Sequence, residues 1–207
     1  MKHLLDLQNW PRREHFNFFR QFEEPFFGVT AIVDCTIAYE KAKTQGDSFF
    51  LYYLHKTLAA VNAVEAFRYR IAGNDVVVYD VVNVSATINK PDGSFGLSHM
   101  EYHHDFSEFS SVANVEIERV QSSAGLFPPI SSENIIHFSA LPWINFTSLS
   151  HARSFSFKDC IPKISYGKMS EVNTVKTMPI SIHVHHALMD GYHVGVFLDT
   201  LQQLLNE

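Results

Sequence analysis

Between residues 26 and 35 apolar side chains recur at every second position, at Phe27, Val29, Ala31 and Val33. That period predicts a strand with one covered face. The same alternation predicts strands over 68–71, 76–79, 83–88 and 95–100, then over 135–139, 144–147, 161–168 and 177–186. Ala72-Gly73-Asn74-Asp75 and Lys90-Pro91-Asp92-Gly93 read as turns, and a polar turn near Glu171 joins the last two strands. Helical spacing appears elsewhere. A helix opens at Trp10-Pro11, where proline suits the first helical position, and carries Phe16, Phe19 and Phe22. A short helix over 37–44 stops at Gly46, and Asp47 or Ser48 caps the next. That helix runs to about residue 64, with Leu51, Leu54, Leu58 and Val61 along one side. Phe109, Val112, Val115 and Val120 mark a helix over 106–122, capped by Asp105 or Ser107. Val194, Phe197, Leu198, Leu201 and Leu205 mark an amphipathic helix after Gly191.

Strands and helices mix without strict βαβ alternation. This predicts an α+β two-layer sandwich, one mixed sheet with helices packed on one face. No linker, repeat or low-complexity stretch divides residues 1–207, so a single domain is expected.

Composition narrows the function classes. The net charge is −6 with no basic stripe, so nucleic acid is not an expected partner. No apolar run reaches the ~18 residues that cross a bilayer. The first residues carry no signal-peptide core, and Cys35 and Cys160 lie far apart in sequence with no metal spacing, for which a reducing cytoplasm is the simplest compartment. There is no Gly-rich phosphate loop. The 18 phenylalanines exceed what a core alone suggests and suit an apolar pocket or a subunit interface.

The chemistry gathers at Ser181-Ile182-His183-Val184-His185-His186-Ala187-Leu188-Met189-Asp190-Gly191. His183 and His185 share one strand face, and His186 falls on the other, where the chain is about to turn. Histidine is the side chain most often poised as a base at neutral pH. Two histidines on one face offer two metal ligands, but no third stands at a suitable spacing, so no metal is expected. Asp190 before a helix is a good N-cap. Arg12 and Arg13 fall in a first helical turn, a poor place for positive charge, so at least one needs a partner elsewhere.

The run His185-His186-Ala187-Leu188-Met189-Asp190-Gly191-Tyr192-His193-Val194 resembles the His-His-x-x-x-Asp-Gly signature of the chloramphenicol acetyltransferase family, within the CoA-dependent acyltransferases. Asn9-Trp10-Pro11-Arg12-Arg13-Glu14-His15-Phe16 and Phe138-Ser139-Ala140-Leu141-Pro142-Trp143-Ile144-Asn145-Phe146 carry the same resemblance, in the same order. It implies a homotrimer with active sites between subunits, acetyl-CoA as co-substrate, no permanently bound cofactor, and a small hydroxylated acceptor such as chloramphenicol. It implies His186 as general base, Ser139 as oxyanion donor, and an Arg12–Asp190 ion pair that braces the turn. The acceptor pocket it implies is lined by Phe18, Phe19, Phe27, Phe95, Phe127, His151 and Ser165, and Lys168 would serve the CoA phosphates. Phe19 stands where these enzymes often carry tyrosine, and His151 where an aliphatic residue is usual. A different alcohol, amine or thiol acceptor, or a non-catalytic ligand-binding protein, are the competing readings.

Overall fold

The fold is described from a computed structural model that covers all 207 residues. The elements in order are β1 (Lys2–Leu4), α1 (Arg13–Phe19), β2 (Phe26–Asp34), α2 (Thr36–Gln45), α3 (Phe49–Ala63), β3 (Tyr69–Ala72), β4 (Asp75–Tyr79) and β5 (Asn83–Asn89). They continue with β6 (Phe95–Leu97), α4 (Phe106–Ser122), β7 (Ile135–Ala140), β8 (Lys163–Tyr166), β9 (Ser170–Val172), β10 (Val175–His185) and α5 (Gly191–Leu205). The main sheet runs β2-β10-β8-β7-β5-β6, with β9 paired to β10. It is mixed: β5, β7 and β8 are parallel neighbours, and the remaining pairs are antiparallel.

Alternation along the strands splits this sheet into an apolar and a polar face. Ile180, Ile182 and Val184 of β10, Ile164 and Tyr166 of β8, and Ile136 and Phe138 of β7 are buried in the same core as Leu54 and Leu58 of α3 and Phe197 of α5. The opposite face carries Thr87, His137, Ser139, Lys163, Ser165, Ser181 and His183. The helix side is the expected layered sandwich. A second, three-stranded sheet, β1-β4-β3, adds to it, and its edge strand β1 was not anticipated.

Several local expectations need correction. Pro11 does not open α1. Trp10-Pro11 forms a turn whose Trp10 carbonyl accepts from Arg13 N at 3.0 Å, and the helix starts at Arg13. Phe22 lies past its end, in a turn closed onto the Phe19 carbonyl at 3.2 Å. Residues 144–147 are not a strand: Ile144 N closes a turn onto the Leu141 carbonyl at 3.1 Å, and no strand pairs there. The predicted 95–100 strand shortens to Phe95–Leu97, with Met100 held by a lone bridge to Val84. The last hairpin turns at Asn173-Thr174, both at positive φ, rather than at Glu171, which lies in β9.

Candidate active site

His186 follows the last residue of β10. Its backbone N–H donates to the Pro25 carbonyl at 2.8 Å, tying the end of the strand to the entry of β2. Phe19 of α1 stacks on its ring, 3.9 Å between centroids and 5° from parallel, and Phe27 packs at 4.7 Å and 47°. Phe18 adds an edge against Phe19 at 5.0 Å. The imidazole therefore sits in an aromatic bracket. Nδ1 is buried and has no protein partner, whereas Nε2 is not enclosed in this way.

Arg12 organises the turn that follows. Nη1 donates to Asp190 Oδ2, and Nη2 donates to the His186 carbonyl at 3.0 Å. One guanidinium thus grips both ends of the His186–Asp190 turn. This answers the misfit in the sequence: the charge lies at the N-cap of a short helix because its partner comes from far along the chain. Asp190 caps α5, accepting from Tyr192 N at 3.0 Å, and His193 Nδ1 lies 2.9 Å from Oδ1. Burial alone would raise the Asp190 carboxyl, but the Arg12 charge and the hydrogen bonds from His193 and Tyr192 outweigh it and hold it low. No carboxylate touches the His186 ring, so Asp190 acts on it through backbone and Arg12.

The other candidates lie elsewhere. Ser139 is on β7, on the polar face, with Thr87 Oγ1 donating to its Oγ at 3.3 Å. Ser165 is its neighbour across β8, and Ser181 of β10 is next in the row. Phe95 shares that face through its pairing with Asn89. Phe127 is exposed in the loop that pairs with β6 through Leu97 N and the Leu126 carbonyl, 2.7 Å. His151 meets His183 edge-on at 4.8 Å, and burial, with the positive charge nearby, lowers it to about 4. Lys168 is exposed beyond β8 and forms no ion pair.

The implied residues thus form two half-sites. One holds Arg12, Phe18, Phe19, Phe27, His186 and Asp190; the other holds Phe95, Phe127, Ser139, His151 and Ser165. Ser181 is level with Ser139, and His186 lies five residues further along, two strands away. At ~4.8 Å per strand and ~3.3 Å per residue the two sit on the order of 15–20 Å apart in one chain.

A family model described as chloramphenicol acetyltransferase aligns with residues 2–202. The chain belongs to the chloramphenicol acetyltransferase family. Chloramphenicol acetyltransferase 3 of Escherichia coli is 31% identical over 204 residues, covering 97% of this chain and 95% of its own. A chloramphenicol acetyltransferase of Proteus mirabilis is 30% identical, covering 99% and 94%. A solved chloramphenicol acetyltransferase superposes with a TM-score of 0.89 at 33% identity, over 99% of this chain and all of its own. The dihydrolipoamide acetyltransferase of Azotobacter vinelandii shares the fold, with a TM-score of 0.65 at 14% identity over 88% of this chain and 82% of its own. As a member of the chloramphenicol acetyltransferase family the protein is a transferase. No helix is long and apolar enough to cross a membrane.

Sequence reasoning missed part of the polar face. His137 and Lys163 stand in one row with His183, with Asp159 paired to Lys163 and the Arg153 charge close enough to act on His183. His137 with Ser139, and Lys163 with Ser165, were readable from period-two alternation. Asp159 and Arg153 arrive on an irregular segment that no period predicts.

Proposed function

We propose that the protein acetylates a hydroxyl of chloramphenicol, using acetyl-CoA as donor. His186 removes the hydroxyl proton as the oxygen attacks the thioester carbonyl. The C–O bond forms, and the Ser139 hydroxyl donates to the oxyanion of the tetrahedral intermediate. Collapse breaks the C–S bond, and the departing CoA sulfur takes the proton back from the imidazolium. A positioned base of this kind supplies ~10²–10⁴-fold and one oxyanion donor ~10²–10³-fold. Arg12 and Asp190 position His186 through the turn. Phe18, Phe19, Phe27, Phe95, Phe127, His151 and Ser165 line the acceptor site, and Lys168 meets the CoA phosphates.

The observation that carries this reading is the bracketed imidazole of His186, held at its carbonyl by Arg12. The separation of Ser139 from His186 within one chain supports a homotrimer whose sites lie between copies, with the base from one subunit and the serine from the next. In this reading residues 1–207 act as one domain in the cytoplasm, where the free thiols of Cys35 and Cys160 stay reduced.

The test is CoA release from acetyl-CoA, with and without chloramphenicol, for the wild type and His186→Ala. Chloramphenicol-dependent release, lowered at least ~10²-fold in the variant, is the expected result. Release at the wild-type rate in His186→Ala would overturn the role of His186. No release with chloramphenicol would overturn this acceptor.

A further inference from the structure

Three backbone polar groups flank the His186 side chain, and each is tied to a different residue. The His186 N–H donates to the Pro25 carbonyl at 2.8 Å. The His186 carbonyl accepts from Arg12 Nη2 at 3.0 Å. The next N–H, that of Ala187, donates to Nδ1 of His185 at 3.2 Å. The last two groups belong to one peptide, and in a trans peptide they point opposite ways. The plane that follows His186 is therefore held at both ends, by Arg12 on one side and by His185 on the other.

His185 is placed for that contact. It is 5% exposed, and its ring meets Phe26 edge-on at 5.4 Å. Its carbonyl accepts from Leu188 N and Met189 N at 2.9 and 3.2 Å, so backbone and side chain serve the same turn. Burial, with the Arg153 charge nearby, lowers the imidazole to about 4, and a ring left neutral at neutral pH has a lone pair to accept with. Asparagine and aspartate make the same contact in turns, accepting from the N–H two residues ahead. His183, on the same strand face, does not: its Nδ1 lies 3.3 Å from Ser181 Oγ, within its own strand.

We propose that His185 is a positioning residue for the base: together with Arg12 it fixes the peptide plane after His186, and with it the direction in which that imidazole meets the hydroxyl proton. His185 acts through the backbone and touches no reacting atom. A base must lie within hydrogen-bond reach of the proton it removes, and a displacement of ~1 Å can cost ~10²-fold in rate. The inference rests on the acetyl-transfer reading and goes beyond it in giving the first histidine of the pair a role of its own.

The test is steady-state acetylation of chloramphenicol, with thermal melting of the same samples, for the wild type, His185→Asn, His185→Gln and His185→Leu. The asparagine carboxamide oxygen takes the place of Nδ1 and can accept from Ala187 N, whereas the glutamine oxygen lies one bond further out, where Nε2 is. His185→Leu and His185→Gln should lower kcat roughly ten- to hundredfold, with KM for acetyl-CoA changed less than about threefold. His185→Asn should restore most of kcat, even where it melts no higher than the glutamine variant. A histidine that only stabilised the fold would leave kcat following the melting temperature and indifferent to where the acceptor atom sits. The asparagine–glutamine comparison carries the test if the leucine variant does not fold. Equal kcat in folded His185→Asn and His185→Gln, or a wild-type kcat in His185→Gln, would overturn the inference and leave acetyl transfer intact. If the wild type releases no CoA with chloramphenicol, the acetyl-transfer reading fails and this inference falls with it.

Discussion

Asp190 divides its two oxygens between Arg12 and the first turn of α5. Two substitutions separate those contributions. Asp190→Ala removes both the cap and the partly buried pair, and should destabilise by about 2 kcal/mol, with a matching loss of turnover. Asp190→Asn keeps a good N-cap but loses the charge. It should recover part of the melting temperature while turnover stays low, because Arg12 would no longer be locked across the turn. Thermal melting and CoA release on the same samples check this; full turnover in a folded Asp190→Asn would show that the ion pair does not matter. Acid should act here as well. Because the folded carboxyl is held low, its contribution is complete above the unfolded value near ~3.9 and is lost as pH falls through the lower folded value. Gly28 makes a second residue-scale case. A Cβ there would sit 2.4 Å from His183 Nε2, its cross-strand partner. Gly28→Ala should cost about 1–3 kcal/mol by overpacking. In the double variant with His183→Ala much of that cost should vanish, which denaturant melts of the four proteins would read as a coupling energy.

At the scale of the element, helices were readable where pattern and cap agree. The run 106–122 was expected to be helical behind Asp105, and α4 spans Phe106–Ser122 with Asp105 accepting from Glu108 N at 2.9 Å. Expectation failed where a neighbour in space decides the outcome. Residues 144–147 have strand-like side chains, but the chain turns at Leu141–Ile144, and the Ile144 carbonyl accepts from Lys168 N at 2.8 Å without entering a ladder. The expected 161–168 strand narrows to Lys163–Tyr166, flanked by Pro162, which has no N–H for a ladder, and by Gly167. A Cβ on Gly167 would come within 2.7 Å of the Ile144 carbonyl oxygen, so the close crossing of the irregular segment requires glycine there. The β9–β10 turn supplies the prediction at this scale. Thr174 is β-branched and holds φ 68°. Such a residue is strained in the left-handed region, and Thr174→Gly should raise stability by about 1 kcal/mol, measured as a higher denaturation midpoint at unchanged m.

Across the whole molecule, buried histidines set the response to acid. Burial lowers His151 and His185 to about 4 and shifts His55, His137 and His183 in the same direction. The unfolded chain binds protons at these sites near ~6.5, before the folded chain does. Stability should therefore be full above that value and fall steadily toward pH 4, with His185→Gln reducing the slope by about one proton. A slope unchanged by that substitution would refute the assignment. The proposed assembly has its own test. His186→Ala and Ser139→Ala chains, unfolded together in equal amounts and refolded, should regain about a quarter of wild-type activity, because random mixing pairs a sound base with a sound serine at one site in four. Recovery no greater than the sum of the separate variants would place both groups within one chain.

The main layers and the chemical vocabulary are legible in the residues alone. Alternation marked the buried faces of β2, β7 and β10, because a strand's period is local and burial selects it directly. Caps placed α3, α4 and α5 for the same reason: Ser48, Asp105 and Asp190 each satisfy backbone groups two or three residues away. The run around His186 was legible as a whole because its parts are contiguous. What lies beside that run is set by long-range packing. Arg12 reaches Asp190 across 178 positions of sequence, and Phe19 stacks on His186 from a helix that starts at Arg13 and not at Trp10-Pro11. The split of the implied site into two half-sites, which the resemblance implied through its trimer, has no signature in any local pattern. Strand order sets how far Ser139 stands from His186, and strand order depends on which edges pair, a choice made by the packing of the whole sheet and not by any local pattern.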